Sequence, residues 1–231
     1  MSVESRVLRA LGTVYDPELD EPITALGFVG SCVVTAEGDV HVRLRLPTPQ
    51  CAPNFAFLMA ADARAAVRRL PGVREVTVVL EDHYTGEEIN AAVGRGEAFA
   101  SAFPGETAGS LDALRELFQR KALLARQARV CQAMLDRGDS PKAVVERRVA
   151  DLPDTVDAVR GRALRAALGL PCDDAAPALI AGDGAALTAD ELPMWLRRAR
   201  LVSLSLEANG GMCRDLLRTR YGTTDHQEVA S

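Results

Sequence analysis

The chain has 231 residues, of which 48% are hydrophobic and 26% charged, and its formal net charge at pH 7 is −5. These proportions are typical of a globular protein, and the negative charge argues against nucleic acid or an anionic membrane as a partner. The N-terminus has no basic segment followed by an apolar core, and no apolar run approaches the ~20 residues of a membrane-spanning helix. We therefore expect a cytoplasmic protein without nucleic-acid or membrane partners.

The first part of the chain, residues 1–92, alternates between helix and strand patterns. Ser2 is suited to cap a first helix, and Gly12 is suited to end it. Two strands are predicted next. The segment over 27–34 is rich in β-branched residues, and the segment over 40–46 alternates strictly between apolar and polar residues. The short turn between them indicates a β-hairpin.

A second helix is predicted to begin near Pro53, and a third strand is predicted over 73–80. A helix between two neighbouring strands forms a crossover, which makes those strands parallel. The fold class is therefore α+β, with a small α-β-β-α-β domain whose three-stranded sheet is mixed.

The remainder of the chain is predicted to be helical. Residues 93–110 are rich in Ala, Gly and Ser and are interpreted as a linker. Residues 111–222 show helical spacing and are interpreted as an all-α bundle, in which one helix ends at Gly210-Gly211 and a last helix follows. Residues 223–231 are predicted to be a flexible tail.

The chain contains five cysteines and no Cys-x-x-Cys pair. In a reducing compartment we expect free thiols rather than a disulfide framework, and no four-cysteine cage is predicted. Cys51 is the most informative of them, because it lies where a strand gives way to a helix and backbone N–H groups favour a thiolate. Thr48 and Asn54 are placed to support the same turn. An inert, buried cysteine at this junction is the alternative.

Three further residues are candidate ligands beside Cys51. Asp16 and Glu18 lie in an acidic loop before the first strand, and His83 follows the third strand. Neutral imidazole suits iron or zinc, although a hydrogen-bonded surface histidine explains the same residue. The sequence alone leaves open whether these side chains converge on Cys51.

The helical half offers one weaker candidate site. Cys213 follows Gly210-Gly211 at a predicted helix start, which favours a thiolate, and Glu207 is close in sequence. The pair suggests a second metal-binding or client-contact point, whereas a glycine cap with a packed cysteine explains the pattern more simply. Recognition of a client protein is the role we expect of the bundle.

Four short motifs occur in one unbroken order across about residues 3–90. They are Asp16-Pro17-Glu18, Leu26-Gly27-Phe28-Val29, Thr48-Pro49-Gln50-Cys51 and Pro71-Gly72-Val73. As a set they resemble the SufT and PaaD family of iron–sulfur assembly factors. The resemblance implies a maturation role, with an iron–sulfur cluster or iron held transiently at a site centred on Cys51.

The same resemblance implies a client metalloprotein and other cluster-assembly proteins as partners. PaaD-like members accompany bacterial multicomponent di-iron oxygenases, and such a system is one predicted client. Homodimer formation is left open. The expected activity is that of an assembly factor rather than an enzyme.

Two other functions remain open from the residues. One is a thiol-dependent enzyme in which Cys51 is the nucleophile, His83 the base and Asp82 the group that orients it. The other is a purely structural interaction adaptor in which neither metal nor thiol matters.

Overall fold

The structure is a computed structural model that describes residues 2–105 and 110–222. The predicted tail over 223–231 lies outside the described residues, as do 106–109 of the predicted linker. The described residues divide into two compact units, one of residues 2–105, 110–113 and 208–222 and the other of residues 114–207.

The first unit has the predicted α-β-β-α-β order, followed by two helices that were not predicted. Ser2 caps the first helix, since its side chain accepts a hydrogen bond from the backbone N–H of Ser5 (3.1 Å). The elements are α1 (Val3–Leu11), β1 (Val29–Val34), β2 (Val40–Arg45), α2 (Pro53–Arg68), β3 (Val76–Glu81), α3 (Gly86–Arg95) and α4 (Phe99–Ala102).

The three strands form one mixed sheet in the order β1-β2-β3. β1 and β2 are antiparallel, with Val34 opposite Val40, and β2 and β3 are parallel, with Val42 opposite Val78. On β2, Val40 and Val42 are fully buried whereas His41 is exposed, so the alternating pattern gives the sheet one apolar face. The predicted fold class is confirmed.

The structure differs from the sequence interpretation over 93–110. α3 continues to Arg95, and α4 places Phe99 and Phe103 in buried positions. The ring of Phe99 meets that of Phe57 edge-on at 5.5 Å between centroids. Two aromatic side chains among small residues give no sustained period, so the sequence pattern did not reveal this packing.

The helical unit contains most of α5 (Asp112–Asp136), then α6 (Pro141–Glu146), a 3₁₀ turn (Val149–Asp151), α7 (Val156–Ala167) and the first part of α8 (Leu192–Tyr221). Ser140 caps α6 through the N–H of Ala143 (3.2 Å). Its core joins α5 to α8 and to the irregular segment between α7 and α8, with Cys131, Leu179 and Leu192 at most 2% exposed.

The helix break predicted at Gly210-Gly211 is wrong. α8 runs without interruption to Tyr221, and neither glycine has the positive φ that a glycine helix end adopts. The helix continues because residues beyond the glycines are anchored: Arg214 pairs with Glu21 at 2.7 Å. Cys213 is therefore inside a helix and not at its N-terminus.

Within residues 2–105 and 110–222, none of the helices combines the length and apolar character that crossing a bilayer requires.

Candidate functional site

Cys51 lies in the loop between β2 and α2 and is half-buried. Its Sγ is 3.6 Å from Thr48 Oγ1, and its N–H is bonded to the carbonyl of Thr48 (3.4 Å). α2 begins at Pro53 without a side-chain cap, because the N-cap residue is Ala52, and Asn54 Oδ1 accepts from the N–H of Phe55 (2.9 Å). The structure thus places Thr48 on the sulfur and Asn54 on the neighbouring backbone.

His83 supports the Cys51 loop through the main chain. Its Nε2–H donates to the carbonyl oxygen of Cys51 (2.7 Å), and its Nδ1 accepts from the N–H of Thr85 (3.2 Å). Burial lowers the pKa of His83 below its usual value, with Arg220 acting in the same direction and the Cys51 carbonyl opposing it. Both ring nitrogens of the neutral imidazole are therefore used in positioning the loop.

The acidic loop is held together by Asp16. Asp16 Oδ1 accepts from the N–H groups of Glu18 (2.8 Å) and Leu19 (2.9 Å), and the residue is 7% exposed. Burial raises the pKa of Asp16 to about 6, the two hydrogen bonds lower it, and the charges of Glu18 and Glu21 add to the increase. Glu18 is half-buried and accepts a long hydrogen bond from Asn209 (3.4 Å).

The C-terminal part of α8 packs on the loops that carry these residues. Arg214 Nη1 is 2.7 Å from Glu21 Oε2, and Arg220 Nη2 donates to the carbonyl of Asp82 (2.7 Å). The Tyr221 hydroxyl donates to the carboxylate of Asp82 (3.1 Å). Sequence reasoning missed this packing because no local pattern relates residues so far apart in the chain.

Cys213 joins the site through this helix. The pKa of the Cys213 thiol is raised to about 11, mainly by burial and also by the charges of Asp16, Cys51 and Glu18, whereas Arg214 lowers it. The predicted thiolate at a helix start is therefore wrong, because Cys213 is a half-buried thiol within electrostatic reach of the Cys51 site. Glu207 is exposed, and six residues of α-helix place it on a different face of α8 from Cys213.

The structure therefore brings together two kinds of group that the sequence left apart. Cys51, Thr48 and His83 form one hydrogen-bonded loop, and Asp16, Glu18 and Cys213 are electrostatically coupled to each other or to Cys51. In the part of the chain that the structure describes, no group of three or more Cys, His, Asp or Glu residues is arranged to hold a metal ion by itself.

The structure does not show the arrangement of Cys51, His83 and Asp82 that a thiol enzyme would need. The His83 ring contacts the backbone carbonyl of Cys51, so its nitrogens are engaged away from the sulfur. The carboxylate of Asp82 accepts from Tyr221. His83 would have to contact the sulfur of Cys51 to act as its base, and Asp82 would have to contact His83 to orient it.

The fold and site define a small α+β domain that presents a half-buried thiol between its second strand and its second helix. The family model for iron–sulfur cluster assembly protein matches residues 4–78, which carry Asp16, Glu18 and Cys51. An uncharacterized protein of Methanocaldococcus jannaschii is 37% identical over 90 residues, which are 39% of this chain and 93% of that protein. The chain belongs to the iron–sulfur cluster assembly protein family, as the ordered motifs predicted.

Relatives with descriptive names point the same way. An iron–sulfur cluster carrier protein of Deinococcus radiodurans is 38% identical over 73 residues, which are 31% of this chain and 20% of that protein. An Fe–S protein maturation auxiliary factor of Porphyromonas gingivalis is 35% identical over 80 residues, which are 35% of this chain and 74% of that protein. These relatives support a role in iron–sulfur assembly for the first domain.

Proposed function

We propose that this protein is a maturation factor that holds an iron–sulfur cluster or iron transiently at Cys51 and delivers it to client metalloproteins. The observation that carries the proposal is the position of Cys51. It is a half-buried thiol inside the family domain, on a loop whose backbone is held by a hydrogen bond from His83. The cargo is a substrate of this site, taken up and released again.

The chemistry of the donors fits this cargo. Cys51 supplies the thiolate that iron prefers, and Thr48 is placed to hydrogen-bond the sulfur. Asp16 and Glu18 add negative charge that favours a cation, while Asp16 also builds the turn that presents Glu18. We assign His83 a positioning role, because both its nitrogens are engaged with the backbone.

An incomplete ligand set suits delivery rather than storage. Cluster sites in proteins are usually closed by four cysteines, which hold the cluster for the life of the protein. A site with fewer ligands leaves iron positions open to donors from a client, so the cargo exchanges by ligand substitution. We propose that the helical region over 111–222 recognises that client.

The proposal extends to partners and compartment. Other cluster-assembly proteins would load the site, and a multicomponent di-iron oxygenase is one client that the PaaD resemblance suggests. All five cysteines are free, which fits a reducing cytoplasm. A homodimer would supply further ligands by symmetry.

Anaerobic reconstitution of the full chain with ferrous iron and sulfide tests the proposal. Wild type should bind both elements and transfer them to an apo-ferredoxin, whereas Cys51→Ser should lose most of the bound iron because its principal sulfur ligand is gone. Cys172→Ser is the matched control, since Cys172 is also half-buried but belongs to the helical unit.

Two results would overturn the proposal. One is a wild-type protein that retains no iron or sulfide after desalting. The other is equal retention and transfer by wild type, Cys51→Ser and Cys172→Ser. Thermal unfolding followed by circular dichroism confirms that the variants are folded.

A further inference from the structure

One face of α8 turns toward the loops of the first unit. Asn209 donates to Glu18 (3.4 Å), and farther along the helix Arg220 donates to the carbonyl of Leu46 (3.2 Å). Cys213 is one turn beyond Asn209, and residues four apart lie on the same side of an α-helix. Its side chain is therefore directed between the acidic loop and the loop that follows β2.

Two contacts that follow Cys213 in the helix support this placement. Arg214, the next residue, pairs with Glu21 at 2.7 Å. Leu217, one turn later, is 8% exposed and lies against Gly27. Its Cδ2 is 3.3 Å from the position that a Cβ would have on that glycine. An ion pair and an apolar contact therefore hold this face of α8 against the loops close to Cys213.

The electrostatic environment of Cys213 agrees with this geometry. The charges of Asp16, Glu18 and Cys51 all act on the half-buried Cys213 thiol, and so does the charge of Arg214, which is itself paired with Glu21.

We propose that Cys213 is the second sulfur ligand of the cargo site, so that iron is held by Cys51 and Cys213 together. The inference rests on the proposed function and adds a ligand from outside the segment that the family model matches. As each Sγ–Fe bond forms, the Sγ–H proton passes to solvent, and no electron transfer is required. Two thiolates leave the remaining iron positions for cysteines of the client.

The other cysteines do not compete for this role. Cys32 and Cys131 are buried in apolar cores, at 8% and 0% exposed. Cys172 belongs to the helical unit, where the buried guanidinium of Arg165 senses its charge. Cys172 is therefore the internal control for Cys213.

Differential alkylation of the unmodified full chain tests the inference without any mutation. Apo protein and protein reconstituted with ferrous iron and sulfide are treated anaerobically with N-ethylmaleimide, and the rate at each cysteine is read by peptide mass spectrometry. The rates at Cys51 and Cys213 should both fall in proportion to the bound iron. The rate at Cys172 should not change.

The outcomes separate this inference from the function on which it rests. Protection of Cys51 with an unchanged rate at Cys213 would overturn the dithiol site and leave the proposed function standing. Failure of the wild type to bind iron at all would overturn both.

Titration with Co²⁺ gives a second readout, because the thiolate-to-cobalt charge-transfer band grows with the number of sulfur ligands. Cys213→Ser and Cys51→Ser should each reduce the band by about half, and Cys172→Ser should leave it unchanged. A full band in folded Cys213→Ser would refute the second sulfur ligand.

Discussion

Asp16 shows how a single residue serves both the loop and the charge of the site. Its Oδ1 accepts hydrogen bonds from two backbone N–H groups, which stabilise the ionised form. Its side chain is also buried, and desolvation destabilises that form. Desolvation is the larger effect, and the pKa of Asp16 rises from 3.8 to about 6. The residue therefore changes charge at a pH where most aspartates are fully ionised.

This shift predicts a pH-dependent stability for the apo protein. A carboxyl group whose pKa is raised by folding stabilises the native state below its unfolded pKa, and that contribution is lost as pH rises through about 6. Asp16→Asn keeps the acceptor oxygen but cannot ionise. Relative to wild type, its free energy of unfolding should therefore increase between about pH 4 and about pH 7, by up to ~3 kcal/mol.

Urea denaturation of both apo proteins across that range measures the difference. Asp154→Asn, at an exposed position, is the control. A difference between Asp16→Asn and wild type that stays constant with pH would contradict the assigned burial effect.

At the scale of elements, α8 carries the main departure from the local sequence pattern. Gly210 and Gly211 are a strong helix-stop signal, yet both lie inside a continuous helix. Gly210 is buried, and a Cβ there would lie 2.9 Å from Glu21 Oε1. The first glycine therefore permits close approach of the acidic loop, whereas a Cβ on Gly211 would meet nothing within 4 Å.

The two glycines predict different responses to alanine. Gly211→Ala should raise the free energy of unfolding by about 0.5–1 kcal/mol, because alanine loses less backbone entropy in a helix interior. Gly210→Ala should gain less, because the new methyl group displaces Glu21 from its pairing with Arg214. Chemical denaturation followed by far-ultraviolet circular dichroism compares them. Destabilisation by Gly211→Ala would be inconsistent with a continuous helix.

At the scale of the whole molecule, each unit has its own organising feature. In the first it is the mixed sheet with its helices, and in the second it is a buried cation. Arg165 is 2% exposed and donates to Gln127 Oε1 (2.6 Å), the carbonyl of Pro177 (2.7 Å) and that of Ala178. Burial lowers the pKa of Arg165 to about 10, which leaves the guanidinium charged at neutral pH.

Loss of this cation should destabilise the helical unit strongly. Arg165→Ala leaves buried carbonyl groups without donors, so we expect a loss of about 3 kcal/mol or more. Arg162→Ala removes an exposed ion pair with Asp174 and should cost less than about 1 kcal/mol. Trp195 is the only tryptophan of the chain and belongs to this unit, so its fluorescence reports the unfolding. Similar unfolding midpoints for Arg165→Ala and Arg162→Ala would contradict the role of Arg165.

Much of the first domain was predictable because its signals are local. Strict alternation over 40–46 marked a strand, Ser2 marked a helix start, and Cys51 was placed correctly before α2. The ordered motifs from Asp16 to Val73 indicated the family. Each of these signals depends on neighbours within a few residues, which is the range over which backbone preference and side-chain period act.

The composition of the site was decided only by tertiary structure. The sequence determined that Cys51 precedes the second helix and that the chain carries a family domain. It did not determine that Arg214 would reach Glu21, 193 positions away, or that Cys213 would come within electrostatic reach of Cys51. Periodicity shows which face of a helix is apolar, but the partner of that face follows from the packing of the entire unit.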